Sequence, residues 1–141
     1  MTQPEIHIAL VLLENRQGQF ALQLRSNIPS IPNPDRWGFF GGHIEEGESA
    51  EDGALREIHE ELDCRLNPSR LQAVERFRRE PNTHYSVFHY AVEHELNQAE
   101  LHEGEDFDLF DLEQILSGQI RGKEVVSYHL ALLQRFLAAR K

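Results

Sequence analysis

The sequence predicts an α/β domain in which a mixed β-sheet lies between helices. Three observations carry this prediction. Apolar runs of strand length recur along the chain, a helix with an acidic face stands among them, and an amphipathic stretch ends the chain. A length of 141 residues suits one domain around one core, so we expect residues 1–141 to form a single domain.

Two apolar runs predict the first strands. Residues 6–13 form a continuous run rich in branched side chains, which is typical of a strand buried on both faces. Residues 20–25 return after a turn at residues 14–19 and complete a hairpin. Residues 26–35 contain three prolines and are expected to form an irregular loop.

A strand, a glycine-containing loop and a helix follow. Residues 39–42 are expected to form a strand that ends in a glycine pair, because glycine permits positive φ and close approach of the backbone to a ligand. A second turn at residues 46–47 precedes a helix over residues 49–62. Ser49 is its expected N-cap, with Asp52 in place of the usual Glu or Gln of a capping box.

This predicted helix has two different faces. Its apolar stripe, at the spacing of residues that pack onto a core, consists of Ala54, Leu55, Ile58 and Leu62. On the other face, Glu57, Glu60 and Glu61 stand at i, i+3 and i+4, which brings their Cβ atoms to about 5–6 Å from one another. One helix is therefore expected to anchor itself in the core and to present three carboxylates.

Three clustered carboxylates favour a bound cation. Two unit charges 4 Å apart interact by about 1 kcal/mol in water and about 4 kcal/mol at an effective dielectric of 20. Arg56 is the only Lys or Arg within residues 56–61, so the protein itself compensates these charges poorly. Hard oxygen ligands prefer Mg²⁺ or Mn²⁺ to zinc. A merely solvated acidic face is the alternative, and the glycine loop before the helix favours a metal and phosphate site.

The stretch from residue 37 to residue 64 resembles the Nudix box, Gly-x5-Glu-x7-Arg-Glu-U-x-Glu-Glu-x-Gly-U, where U is a bulky aliphatic residue. The matching residues are Gly42, Glu48, Arg56, Glu57, Ile58, Glu60 and Glu61. Asp63 stands where the pattern has Gly, and Cys64 takes the last apolar position. Asp is among the few non-glycine residues that tolerate the left-handed geometry common at helix ends, so we interpret Asp63 as a structural substitution. The resemblance implies the α/β/α Nudix fold.

The same resemblance implies hydrolysis of a diphosphate linkage in a nucleoside diphosphate derivative, either a nucleoside triphosphate or a small nucleotide of the NDP-X type. It implies Glu57, Glu60 and Glu61 as ligands of Mg²⁺ or Mn²⁺. The carbonyl of Gly41 or Gly42 is a further expected oxygen ligand. Either Glu60 or Glu61 is the expected general base. A non-catalytic Nudix-fold nucleotide-binding sensor is the alternative, and the intact glutamate set favours the enzyme.

Two roles concern residues beside these ligands. Glu48 and Arg56 are expected to pair with each other and to fix the loop against the helix. Arg56 is grouped with the three glutamates as a catalytic residue, and contact of its side chain with phosphate is the alternative role. The resemblance also implies a fourth carboxylate ligand from a loop well after the box. We prefer Glu103 to Glu105 because Gly104 adjoins it, although a solvated loop acid is the alternative reading.

Four residues are candidates for contact with substrate. Arg25 stands where the loop of residues 26–35 leaves the sheet, and the resemblance implies that a basic residue there faces substrate phosphate; a surface arginine is the alternative. His43 lies in the glycine loop and is a candidate to reach a phosphate or a proton, with a solvent-facing histidine as the alternative. The rings of Trp37 and Phe39 are candidates to stack on a base. Alternation along a strand places these two rings on one side and Phe40 on the other, so at least one of the three belongs to the core.

The rest of the chain completes the sheet and its second helical layer. The remaining predicted elements are strands over residues 71–79 and 84–92, a short strand over 107–110, a helix over 112–116 capped by Asp111, and a final helix over 125–139.

Composition excludes several functional classes. A formal net charge of -10 disfavours binding to extended nucleic acid, because proteins that bind its phosphate backbone are normally basic. The single cysteine, Cys64, excludes an internal disulfide and a cysteine-based zinc cluster. Residues 1–13 lack a basic leader region and are too short to span a bilayer, so we expect a cytoplasmic protein without a membrane partner. The expected partner is a small phosphorylated nucleotide, and both a monomer and a homodimer are compatible with the chain.

Overall fold

The computed structural model describes residues 4–140. The strands are β1 (Ile6–Glu14), β2 (Phe20–Leu24), β3 (Trp37–Gly38), β4 (Phe40–His43), β5 (Gln72–Arg79), β6 (Thr83–Ala91), β7 (Asp106–Phe110), β8 (Gln119–Ile120) and β9 (Lys123–Glu124). The helices are α1 (Ala50–Leu62), α2 (Leu112–Leu116) and α3 (Ser127–Ala139), with a short 3₁₀-helix at Pro68–Arg70.

Strands β1 to β7 form one mixed sheet around β1. β1 pairs in parallel with β6 along its whole length, from Ile6 opposite Thr83 to Glu14 opposite Ala91. It pairs antiparallel with β2 and β4. β2 also pairs antiparallel with β3 and β7, and β5 pairs antiparallel with β6. β8 and β9 form a separate two-stranded sheet.

The central strand shows how the layers are built. Residues 9–13 of β1 are at most 5% exposed, which confirms the prediction of a strand buried on both faces. Leu10 and Leu12 join a hydrophobic cluster with residues of α2 and α3. Val11 and Leu13 join a second cluster with Ala54, Ile58 and Leu62 of α1. The sheet therefore lies between two helical layers, and the predicted α/β/α sandwich is confirmed.

The strand predicted to end at the glycine pair is present, and it ends one residue later than predicted. β4 continues to His43, and Gly41 and Gly42 pair inside the sheet with Leu10 and Ala9 of β1. Gly41 has φ +151°, and a Cβ there would collide with the carbonyl oxygen of Ala9. Glycine is needed at this position because a neighbouring strand approaches its backbone closely.

Local signals at both ends of α1 are confirmed. The Ser49 hydroxyl accepts a hydrogen bond from the backbone N–H of Asp52 at 3.0 Å. Asp63 follows the helix with φ 55° and ψ 33°, the left-handed geometry expected of it. Among residues 4–140, no helix combines the length and apolar character needed to cross a membrane.

Candidate active site

Three carboxylates meet beside the C-terminal half of α1. Glu57 and Glu61 come from the helix, Glu103 comes from the loop before β7, and one oxygen from each lies within 4.8 Å of the others. We call these three residues the acid cluster. The loop reaches the helix because its backbone N–H groups cap it: His102 donates to the carbonyl of Glu61 at 2.8 Å, and Glu100 donates to that of Leu62 at 3.0 Å.

Glu61 is the buried member of the acid cluster. The residue is only 2% exposed. Its Oε1 accepts a hydrogen bond from the backbone N–H of Gly41 at 3.0 Å, and its Oε2 accepts one from Gln23 Nε2 at 3.2 Å. Burial, together with the neighbouring carboxylates of Glu103 and Glu57, raises the pKa of Glu61 to about 9. A nearby positive charge would stabilise the ionised form of Glu61 and lower this pKa.

The burial of Glu61 corrects the expected division of α1 into an apolar face and an exposed acidic face. The side chain of Glu60 is 53% exposed, whereas the residue Glu61 is 2% exposed, close to Ile58 and Leu62 of the apolar stripe at 0%. The reason is tertiary, since β2 and β4 cover that flank of the helix through Gln23 and Gly41. Gln23 was not among the predicted site residues, although it is a polar residue inside the otherwise apolar run of β2.

Glu57 lies against the backbone of β4. A Cβ at Gly42 would stand 2.5 Å from the carboxylate carbon of Glu57, so only glycine leaves room for this carboxylate. Burial raises the pKa of Glu57, and a hydrogen bond from Arg56 opposes that shift. The missing side chains therefore serve two purposes. Gly41 lets its backbone lie close to β1, and Gly42 lets its backbone lie close to the Glu57 carboxylate.

Arg56 connects the acid cluster to the loop before the helix. It binds Glu48 through two hydrogen bonds, from Nε at 2.8 Å and from Nη2 at 3.0 Å, in the bidentate geometry that suits a carboxylate. Its Nη1 donates to Glu57 at 3.0 Å and to Glu60 at 3.1 Å, and its Nη2 also donates to the carbonyl of His43 at 2.8 Å. The structure therefore forms the Glu48–Arg56 pair. The Arg56 guanidinium, helped by a backbone N–H, lowers the pKa of Glu48 to about 2.

The structure brings only some of the expected ligands together. Glu103 belongs to the acid cluster, whereas Glu105 accepts a hydrogen bond from the backbone N–H of Asn27 at 3.0 Å. Glu60 lies outside the acid cluster, with its carboxylate on Arg56. Ligation by Glu60 and by the glycine carbonyls stays a prediction.

The expectation that Trp37 and Phe39 stack on a base is wrong for this structure. The two residues are 1% and 2% exposed, so neither offers a ring face to a ligand. Trp37 Nε1 donates to the carbonyl of Ile120 at 3.0 Å, and the ring of Phe39 stacks on that of His129 at 5.8 Å between centroids. Phe40 lies in the opposite hydrophobic cluster, as the alternation predicted. All three rings are core because helices cover both faces of the sheet here.

Arg25 and His43 remain candidates for contact with phosphate. Arg25 Nε donates to the carbonyl of Pro32 at 2.9 Å and so braces the loop that follows β2. The His43 side chain is exposed at the end of β4. Neither side chain forms a hydrogen bond or an ion pair with the acid cluster, and the predicted substrate contacts stay predictions.

The chain belongs to the Nudix family, because the family model described as the NUDIX domain matches residues 5–130. Members of this family are pyrophosphohydrolases that act on nucleoside diphosphate derivatives, and the chain is an enzyme of this hydrolase class. No curated protein matches its sequence.

Solved structures share the fold of this chain. A MutT protein from Methanosarcina mazei Go1 is 26% identical, with a TM-score of 0.80 and coverage of 100% of this chain and 99% of its own. A mutT/nudix family protein from Listeria innocua is 22% identical, with a TM-score of 0.75 and coverage of 98% and 95%. A bifunctional NMN adenylyltransferase/ADP ribose pyrophosphatase from Francisella tularensis, complexed with AMP and a Mn ion, is 15% identical, with a TM-score of 0.72 and coverage of 98% and 42%.

Proposed function

We propose that the protein hydrolyses a diphosphate linkage in a small nucleotide, either a nucleoside triphosphate or an NDP-X compound, and that it requires Mg²⁺ or Mn²⁺. The observation that carries this proposal is the acid cluster: carboxylate oxygens of Glu57, Glu61 and Glu103 lie within 4.8 Å of one another beside the glycine backbone of β4. Such a cluster on the helix of a Nudix domain is suited to cations that bridge an enzyme to phosphate oxygens.

The donors of the acid cluster fit a hard divalent cation. All three are carboxylates, and neither nitrogen nor sulfur belongs to the group, which favours Mg²⁺ or Mn²⁺ over zinc or copper. When bound, such ions neutralise charge on the diphosphate and assist the attack of water on phosphorus. The Francisella neighbour, with its AMP and Mn ion, adds Mn²⁺ and adenine nucleotides to the conditions worth testing first.

The residues around the acid cluster hold it in place. Arg56 binds Glu48 on the loop and Glu57 on the helix, so it keeps the loop, the helix and one ligand in a constant arrangement. The missing side chain of Gly42 gives Glu57 its room. These contacts orient the ligands before substrate arrives, which reduces the reorganisation needed during the reaction.

We assign to Glu60 the acceptance of the proton from the attacking water. Both glutamates accept hydrogen bonds inside the protein, Glu61 from Gln23 and Gly41 and Glu60 from Arg56, so exposure is what distinguishes them. The Glu60 side chain is 53% exposed, whereas the residue Glu61 is 2% exposed. A general base must reach the water it activates, and exposure provides that reach. Glu60→Gln is then expected to lower kcat on the order of 10²–10⁴-fold.

The test measures phosphate and pyrophosphate released from a panel of nucleoside triphosphates and NDP-X compounds with Mg²⁺ or Mn²⁺. Glu61→Gln is expected to reduce hydrolysis by more than the roughly 10–100-fold that changes beside a metal ligand cause. Glu113→Gln, an exposed acid on α2, is the matched control and is expected to match wild type. Activity that survives Glu61→Gln would contradict the catalytic assignment. Saturable nucleotide binding without hydrolysis would instead support the sensor.

A further inference from the structure

Gln23 is a buried polar residue at the centre of the site. It lies on β2 between Gly38 of β3 and Phe107 of β7 in the sheet, and it is 2% exposed. Buried amides are normally hydrogen-bonded, so the partners of this side chain indicate what it does.

The Gln23 amide faces Glu61 with its nitrogen. Nε2 donates to Glu61 Oε2 at 3.2 Å, and the other oxygen of Glu61 accepts from the backbone N–H of Gly41 at 3.0 Å. Two donors from two different strands therefore hold the two oxygens of one carboxylate. Because both oxygens of Glu61 are held by hydrogen bonds, their remaining lone pairs point in a defined direction.

The other end of the same amide lies against the loop that carries Glu103. A Cβ at Gly104 would stand 2.9 Å from Gln23 Oε1 and 2.8 Å from the carbonyl oxygen of Leu24. The backbone N–H of Glu105 donates to that carbonyl at 2.8 Å. Gln23 thus lies between the helix that supplies Glu61 and the loop that supplies Glu103, and it contacts both.

We propose that Gln23 is a positioning residue that orients Glu61 toward Glu57 and Glu103 for cation binding. The inference rests on the proposed metal-dependent function and adds a residue outside the Nudix box to the machinery of the site. Groups that hydrogen-bond to metal ligands typically change metal affinity by about 10–100-fold when they are removed. Gln23 is expected to act in that range.

The experiment titrates Mn²⁺ into the full chain and follows free Mn²⁺ by electron paramagnetic resonance. Gln23→Met keeps most of the volume and removes the donor, while Gln23→Asn keeps the amide but withdraws it by one methylene group. Both variants are expected to raise the Kd for Mn²⁺ at least about tenfold. Gln72→Met, an exposed glutamine on β5, is the matched control and is expected to bind as wild type does.

Thermal unfolding in EDTA separates positioning from misfolding. The Gln23 variants are expected to unfold cooperatively within a few degrees of wild type, because the interaction they lose serves the cation site. If Gln23→Met does not fold, Gln23→Asn carries the test alone. Wild-type affinity in a folded Gln23 variant overturns the inference, whereas absence of Mn²⁺ binding by wild type overturns the proposed function itself.

A double variant tests whether Gln23 acts through Glu61. In the Glu61→Gln background, Gln23→Met is expected to add less than twofold to the loss of Mn²⁺ affinity, because the carboxylate that it orients is gone. A further loss of tenfold or more in that background would show that Gln23 affects the site by another route, and would overturn the positioning role.

Discussion

Glu61 and Glu95 are both largely buried glutamates, yet their surroundings differ in kind. Glu61 lies beside the carboxylates of Glu57 and Glu103, and burial together with these neighbours raises its pKa to about 9. Glu95 is also penalised by burial, but hydrogen bonds from the Tyr90 hydroxyl and from backbone N–H groups lower its pKa to about 2. Glu61 accepts two hydrogen bonds but has carboxylates as its charged neighbours, whereas Glu95 accepts more hydrogen bonds and also pairs with an arginine.

The contacts of Glu95 show a complete structural site. Tyr90 donates to it at 2.6 Å, and the N–H groups of Glu93 and His94 donate at 2.7 and 3.0 Å. Arg70 pairs with it at 3.4 Å. Because the protein itself satisfies this carboxylate, its role is to stabilise the fold. In the acid cluster, Arg56 pairs with Glu57, but neither Glu61 nor Glu103 forms an ion pair within residues 4–140. The proposed cation would supply the missing positive charge.

Among the variants that test this comparison, Gly42→Ala is expected to have the largest effect. It tests whether the acid cluster needs the space that a glycine leaves as well as the charges of its carboxylates. Gly42→Ala would place a Cβ 2.5 Å from the Glu57 carboxylate and force this ligand away from Glu61 and Glu103. We expect Mn²⁺ affinity and hydrolysis to fall by more than about tenfold, as for other disturbances of metal-ligand orientation. Isothermal titration with Mn²⁺ measures the first and phosphate release the second. Unchanged affinity would show that Glu57 is not held against this glycine.

An intermediate effect is expected at Glu95, on stability instead of binding. Glu95→Gln removes the charge from its hydrogen bonds and is expected to lower the free energy of unfolding at pH 7 by about 1–3 kcal/mol, with Mn²⁺ affinity unchanged. Urea unfolding measures the difference. Glu93→Gln, which alters an acid two positions away that is 42% exposed, is the matched control and is expected to cost less.

The same variant has a defined pH dependence. The pKa of Glu95 falls from 4.5 to about 2 on folding, so the unfolded state takes up the proton first as the pH falls. The stabilisation is therefore fully present above pH 4.5 and is lost as the pH falls towards 2. Wild type and Glu95→Gln are expected to converge in stability across this window. A constant difference between them would contradict the assigned cause.

The smallest expected effect is at Asp63, the position where the chain departs from the Nudix box. Asp63→Gly is expected to change the free energy of unfolding by no more than about 1 kcal/mol, because glycine adopts φ 55° without strain. Hydrolysis is expected to stay at the wild-type level. Urea unfolding and phosphate release are the two measurements, and a large loss of activity would mean that the Asp63 carboxylate takes part in the site.

Local sequence signals predicted the elements around the site well. The Ser49 cap, the left-handed Asp63 and the buried β1 each depend on residues that are neighbours in the chain or on one uninterrupted apolar run. β8 and β9 were missed because two-residue strands are too short to show a periodic pattern. The pairing of Gly41 and Gly42 with β1 was not predicted, because β1 lies about thirty residues earlier in the chain.

By itself, the sequence determined the class of protein, since the spacing of Glu57, Glu60 and Glu61 and the glycine before them are properties of one continuous stretch. Only the tertiary structure decided which acids meet: it brought Glu103 to Glu61 and turned Glu60 outward onto Arg56. It also buried Trp37 and Phe39 beneath α3, and it placed Gln23 against a carboxylate 38 positions away. The physical reason is that burial and electrostatic neighbours arise when distant segments pack together, whereas helix spacing and capping arise within a few residues.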